Sequence, residues 1–217
     1  KLIRYIWESI KDNEFDSEDS ILLAFSKTKT NERKGWVQSY NKDEILTYED
    51  RDVQYGKMIH YDMKHFSRED TYRSIPNIKD GFKISQRKIF YGAQLRGLDK
   101  NEVKVAQLAG FVSDKAAYHH GEASLTGAIT NMAQNYVGSN NINVLKPNGQ
   151  FGTRLQGGKD AASPRYIWTE LSSITPLIFN KDDNYVLNNQ FEDGLPIEPE
   201  SYAPIIPMIL VNGAEGI

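Results

Sequence analysis

Ser163-Pro164-Arg165-Tyr166 places a phenol directly after a guanidinium, at the end of a run whose residues 149–165 hold four glycines and three cations, Arg154, Lys159 and Arg165. That combination could attack a phosphate. A free phenol has a pKa of about 10, so such an attack at neutral pH needs neighbouring positive charge to favour the phenolate and to stabilise the pentacovalent transition state. Arg165 is the nearest candidate. The same residues also fit a plain strand, Arg165 to Thr169, in which alternation buries one face and Tyr166 packs in the core.

A second place where chemistry can occur is His119-His120-Gly121, just ahead of an apolar helical pattern. Unpaired N–H groups at a helix N-terminus favour an anion, and a glycine there lets a phosphate come close. One of the histidines could equally serve only to cap the helix. Charge along the chain supports an anionic partner. The net charge is −3, yet residues 73–166 carry thirteen Lys and Arg against six Asp and Glu. A polyanion responds to the local field, so a segregated basic segment can bind nucleic acid inside an acidic whole.

The elements that must position these groups are readable from periodicity. Asp19 or Ser20 can cap a short helix carrying Ile21, Leu22 and Phe25, and Thr30 can cap a second running from Asn31 to Tyr40. Thr47, followed by Glu49 and Asp50, signals another helix start. A helical pattern resumes at Phe66 and ends at Pro76. Ser85 is expected to cap a helix with Arg87 and Lys88 opposite Ile89, Phe90 and Leu95. A second helix over 102–112 buries Val105, Leu108, Ala109 and Val112, and a third from His120 to Gln134 buries Leu125, Ile129, Met132 and Ala133. Strands are expected at 142–145, 149–154 and 166–171. Together they predict an α+β fold of winged-helix type, a helix-turn-helix with a β-wing that carries the tyrosine. Ile174 to Phe179 reads as a short helix, Pro204 to Val211 as a buried strand, and Asn212-Gly213 as a turn.

Composition sets outer bounds. The 217 residues, 39% hydrophobic and 25% charged, suffice for one large or two small domains with a real core. No apolar run reaches the roughly 18 residues of a membrane span, so no membrane partner is expected. The absence of cysteine excludes disulfides and thiolate metal sites. Asp50-Arg51-Asp52 spells a magnesium-binding pattern, but no glycine-bounded strand precedes it, and the acidic pairs at 182/183 and 192/193 read as solvated turns. No metal ligands are assigned. A start at Lys1 and an end inside a motif at Ile217 give the expectation of an internal piece of a longer protein.

Taken together, the motifs resemble those around the active-site tyrosine of eukaryotic-type type IIA DNA topoisomerases. They are Arg73-Ser74-Ile75-Pro76, Asp80-Gly81-Phe82-Lys83, Gln86-Arg87-Lys88, Val103 to Gly110, Tyr118 to Glu122, Asn135 to Asn141, Gly149 to Arg154, Gly157 to Asp160, Ser163 to Tyr166 and Pro204 to Ile217. The resemblance runs from about Ile21 to the end. It implies that Tyr166 is the nucleophile that becomes linked to a 5′ phosphate of double-stranded DNA, with Arg165, Arg73, His120 and Lys83 completing the catalytic set. It implies DNA contacts for Gln86, Arg87, Lys88, His119, Ser124, Arg154 and Lys159, and an intercalating role for Ile217.

Further implications are a homodimer, ATP bound in another domain, and Mg2+ held by Toprim carboxylates outside this sequence. Residues 1–64 then correspond to the end of the Toprim region and a linker, 65–203 to the winged-helix domain, and 204–217 to the start of a tower domain. The implied location is a nucleus or, for a virus, a viral factory or host cytoplasm. Two departures are visible: Ile84-Ser85 stands where Pro-Gly is common, and Ala93 to Lys100 is slightly long. Competing readings are a tyrosine recombinase or type IB enzyme, which links to the 3′ phosphate, and a non-catalytic winged-helix module with a buried Tyr166.

Overall fold

The structure, a computed structural model, describes residues 2–9, 14–49 and 51–215. It divides into two compact units, Lys1–Tyr72 and Arg73–Ile217. Among the described residues no helix is long and apolar enough to cross a membrane.

In the first unit β1 (Arg4–Ile6) pairs in parallel with β2 (Asp52–Gln54), Arg4 opposite Asp52. The first helix, α1 (Ser17–Phe25), starts earlier than expected because Asp16, not Asp19 or Ser20, caps it, accepting from the Asp19 N–H at 3.0 Å. Its serines Ser17 and Ser20 are buried. A 3-10 turn, Lys27–Lys29, then leads into α2 (Thr30–Gln38), so Thr30 is the first helical residue and not the cap. The helix expected after Thr47 is not there. Pairing with β1, 48 residues away, claims Asp52–Gln54, and such a distant partner outweighs a local start signal.

The helix starts instead at Tyr55, as α3 (Tyr55–Met58), a π turn (Ile59–Met63) and α4 (Lys64–Ser74) in unbroken succession. Gly56 permits that start, since a Cβ there would stand 1.9 Å from the Phe15 carbonyl oxygen. In the π turn, His60 Nδ1 accepts the Trp36 indole N–H at 3.1 Å. Burial lowers the pKa of this histidine.

The second unit is built on α5 (Ile84–Leu95), α6 (Val105–Lys115) and α7 (Glu122–Ala133), each packed on the other two. An antiparallel sheet in the order β3 (Val103–Lys104), β5 (Trp168–Leu171), β4 (Leu145–Asn148) closes one side, with Leu145 opposite Leu171. Then follow α8 (Thr175–Ile178), a hairpin of β6 (Asn189–Glu192) and β7 (Leu195–Pro199), and α9 (Met208–Asn212). The core is the one periodicity marked: Ile89 and Phe90 of α5, Val105, Leu108, Ala109 and Val112 of α6, and Leu125, Ile129, Met132 and Ala133 of α7 are all buried. Phe82, Phe90, Phe179 and Tyr202 extend it as an aromatic cluster with ring centroids 4.7–6.1 Å apart.

The mixed α+β architecture expected from the sequence is the one found, with corrections at its edges. Lys83 and not Ser85 caps α5, and Leu95 is exposed. β3 takes the place of the first turn expected for α6. The strand expected at 142–145 lies at 145–148, the one at 166–171 starts at Trp168, and 149–154 forms no strand, because Gly149 and Gly152 both adopt positive φ. Pro204 to Val211 is not a buried strand either. Pro207 caps α9, and Ile205 and Leu210 are exposed. A short apolar run bounded by prolines does not distinguish the two by period alone.

Candidate active site

Tyr166 lies in the turn that delivers the chain into β5, its N–H donating to the Ser163 carbonyl at 2.9 Å. The residue is 78% exposed, whereas Ile167 beside it is 2% exposed. Inward alternation continues through Thr169 and Leu171. Alternation therefore operates as expected, but it points Ile167 inward and the phenol outward.

Both flanks of the turn are held by the start of α6, whose first N–H groups have no partner within the helix. Val105 N–H donates to the Ile167 carbonyl at 3.0 Å and Ala106 N–H to the Pro164 carbonyl at 3.1 Å. Among the described residues the Tyr166 hydroxyl makes no hydrogen bond. The result is a fixed backbone carrying an unengaged phenol, with Arg165 exposed beside it.

The glycine-rich run before it folds into a tied loop. Asp160 accepts from the Thr153 N–H at 2.8 Å, the Thr153 hydroxyl at 2.9 Å and the Gln150 amide at 3.1 Å. These bonds, the Thr153 N–H first, hold its carboxyl below the usual range. At the other side Gln134, which caps the C-terminus of α7, donates to the Phe151 carbonyl at 2.8 Å. The loop crosses itself at Gly152 and Gly158, where a Cβ on Gly152 would stand 2.5 Å from Gly158 Cα at a φ of +102°. Gly152→Ala is thus expected to cost about 1–3 kcal/mol, read as a lower denaturation midpoint. The tip presents Arg154 and Lys159 to solvent.

His119 and His120 precede α7, whose N-cap is Gly121 and whose first turn has no side-chain cap. His120 is exposed and meets the Tyr118 ring edge-on at 5.4 Å. His119 Nε2 lies 2.5 Å from Glu192 Oε1. Ser124, one turn along, is exposed, its hydroxyl 3.3 Å from the Tyr118 hydroxyl. Lys83 is half-buried at the N-cap of α5, and Arg73 is exposed in the last turn of α4. No hydrogen bond, ion pair or ring contact joins Tyr166 to Arg165, His120 or Lys83 among the described residues. Arg165 shares the turn of Tyr166, whereas His120 and Lys83 stand on other segments.

Three expected DNA contacts have other partners here. The Gln86 carboxamide accepts the Lys83 backbone N–H at 2.9 Å and so closes the start of α5. Arg87, 2% exposed, binds the buried Asp80 through Nε at 2.7 Å and a terminal nitrogen at 3.0 Å, and also the Phe82 carbonyl at 3.0 Å. Lys88 is buried against Glu198 at 2.9 Å and the Ala116 carbonyl at 2.5 Å. Arg87 and Lys88 are corrected accordingly: their cations are internal ties, with no face free for a phosphate. α5 is covered on several sides, so a helix-face argument that puts its cations in solvent fails. Sequence reasoning missed Asp80, Gln134, Asp160 and Glu198 as the other ends of these ties. Only the Asp80-Gly81 turn carried a local signal. Ile217 lies outside the described residues.

Among the described residues no cluster of three or more His, Asp or Glu could hold a metal ion. Comparison with known proteins gives two family matches, one described as the DNA gyrase/topoisomerase IV A-subunit over residues 73–217 and one as the C-terminal associated domain of TOPRIM over residues 3–71. The DNA topoisomerase 2 of Acanthamoeba polyphaga mimivirus is 52% identical over 201 residues, 93% of this chain and 16% of that protein. That of Arabidopsis thaliana is 52% identical over 213 residues, 98% of this chain and 14% of that protein. A crystal structure of the Plasmodium falciparum topoisomerase II DNA-binding, cleavage and re-ligation domain superposes with a TM-score of 0.78 at 48% identity, covering 99% of this chain and 29% of that one. The chain thus spans about a sixth or less of the length of these curated relatives.

Proposed function

The chain belongs to the DNA gyrase/topoisomerase IV A-subunit family of type IIA DNA topoisomerases, and from that premise we propose that it is part of an ATP-dependent type II topoisomerase that cuts and reseals duplex DNA through Tyr166. In this reading the Tyr166 oxygen loses its proton and attacks a backbone phosphorus. A phenolic O–P bond forms, the bond from phosphorus to the 3′ oxygen breaks, and that oxygen leaves as a hydroxyl after taking a proton. Because a phosphodiester replaces a phosphodiester, the reverse attack reseals the strand without another energy source. Two such tyrosines in a homodimer open both strands for a second duplex to pass.

Arg165 and Arg73 are assigned to the charge of the transition state, Lys83 to a phosphate oxygen, and His120 to a non-bridging oxygen or a proton relay. His119, Ser124, Arg154 and Lys159 are assigned to the DNA backbone, where exposed donors and cations suit it. Residues 65–203 are read as the winged-helix domain, 1–64 as the end of the Toprim region with its linker, and 204–217 as the start of the tower. The described residues do not fit a metal ion. Mg2+ and ATP stay part of the family-level reading. Work in a nucleus or a viral factory follows from the same reading.

One observation carries the proposal: a phenol pointing to solvent from a turn whose two flanks are pinned to α6, with an arginine next to it. A buried Tyr166 would have favoured a DNA-binding module without chemistry. The deciding experiment traps the full-length protein that contains this chain, with Mg2+ present, on duplex DNA with denaturant. Linkage to 5′ ends with extendable 3′ hydroxyls is expected; linkage to 3′ ends would instead indicate the type IB or recombinase chemistry. For Ile217, the intercalation reading expects Ile217→Ala to reduce duplex bending, measured as end-to-end distance on labelled DNA, with phosphate contacts retained. Unchanged bending would remove that assignment.

A further inference from the structure

The exposed pair of His119 and Glu192 has no part in the chemistry above, yet it occupies a group assigned to the DNA backbone. Its two ends are unusually well held for a surface contact. Glu192 closes β6 next to a tight turn, Asp193 and Gly194 at φ +49° and +77°, with Leu195 as its cross-strand partner. The root of β7 is anchored by the buried Glu198–Lys88 pair at 2.9 Å, and the base of the hairpin by the Glu200 N–H to the Asn188 carbonyl at 3.0 Å. Lys88 also donates to the carbonyl of Ala116, three residues before His119. One buried ammonium therefore fixes the root of the hairpin and the root of the histidine loop together.

We propose that Glu192 acts as a built-in substitute for a DNA phosphate, engaging His119 in the DNA-free protein so that the duplex must displace it. A carboxylate and a phosphate each offer a charged acceptor oxygen to an imidazole N–H at hydrogen-bond distance, and His119 Nε2 serves one of them at a time. The inference rests on the reading that the N-terminal end of α7 meets DNA. Its consequence is selective: a contact with too few phosphates to replace Glu192 gains less from His119 than a duplex that brings one to it.

The pair is largely exposed, with side chains 74% and 38% accessible. An exposed pair contributes little, so displacing Glu192 weakens DNA binding by no more than about fivefold. The test measures binding of a short duplex to the full chain by fluorescence anisotropy at one fixed salt concentration, with circular dichroism to confirm the fold of each variant. Glu192→Gln is expected to tighten binding about two- to fivefold, whereas Asp193→Asn, the same charge change one residue away, is expected to tighten it less. In a His119→Ala background, Glu192→Gln is expected to add no more than Asp193→Asn does. Equal effects of the two acidic substitutions, or a full Glu192→Gln effect without His119, would reduce the pair to general charge and overturn the proposal. Unchanged affinity in Glu192→Gln would overturn it too. A wild-type chain that does not bind duplex at all would instead remove the underlying reading, which separates the two failures.

Discussion

Tyr166→Phe is expected to abolish covalent attachment to DNA and to leave duplex binding and folding intact. The substitution removes one oxygen, and in this structure that oxygen has no partner among the described residues to be left unsatisfied. Substitutions away from packing and hydrogen-bond networks usually change stability by no more than about 0.5 kcal/mol. Loss of the adduct therefore cannot be assigned to a damaged fold. The backbone that aims the residue depends on Pro164, Ile167 and the first N–H groups of α6, none of which the substitution touches. Denaturant trapping on a labelled duplex, with native gel binding alongside, separates the two quantities. A phenylalanine variant that still yields protein-linked DNA would move the nucleophile elsewhere and end the cleavage reading for this residue.

Legibility of the fold followed the range of the interaction. The inward faces of α6 and α7 were readable because 3.6-residue spacing is local, and each predicted core residue of those helices is buried. Tyr166 was half readable. Alternation required one of Tyr166 and Ile167 to face inward, but only the hydrogen bonds from Val105 and Ala106, about sixty residues earlier, decide which. The element at Thr47 was misread for the same reason, since the strand that replaces it pairs with Arg4–Ile6. Positive φ at Gly149 and Gly152 turned an apparent strand into a loop, and the Asp160 hydrogen bonds that organise it give no periodic signal.

Among candidate site residues, exposure was the quantity the sequence withheld. Arg154, Lys159, Arg165 and His120 are in solvent, as a polyanion-binding surface needs, while Arg87 and Lys88 are not. Nothing local distinguishes Lys88 from a solvated lysine, because its partner Glu198 lies 110 residues away. The motif resemblance assigns these cations to the DNA backbone, whereas in the structure both are engaged inside the protein. They fix the start of α5 and the root of the β6–β7 hairpin, on which Lys83 and Glu192 depend.

That task yields the second large expected effect, Asp80→Ala. Asp80 is fully buried and accepts four hydrogen bonds: two from Arg87 at 2.7 and 3.0 Å, one from the Phe82 N–H at 2.9 Å and one from the Tyr202 N–H at 3.0 Å. Alanine leaves the guanidinium with only the Phe82 carbonyl and strands two backbone donors in a closed interior. Removing one partner of a buried ion pair costs about 3–5 kcal/mol, against a total of about 5–15 kcal/mol for an ordinary domain. The second unit should become marginal, seen as a large fall in the urea midpoint with little change in slope.

Arg87→Ala should cost a comparable amount. The double variant should cost far less than the sum, because each single change already forfeits the same contacts. Lys83 follows directly on this knot, and Gly81 within it packs so close to α9 that a Cβ would lie 2.9 Å from the Ile209 nitrogen. Adduct formation should therefore fall in Asp80→Ala even under conditions where the protein remains folded. Stability within about 1 kcal/mol of wild type would mean that Arg87 finds another acceptor, and the knot would lose its place as the support of α5.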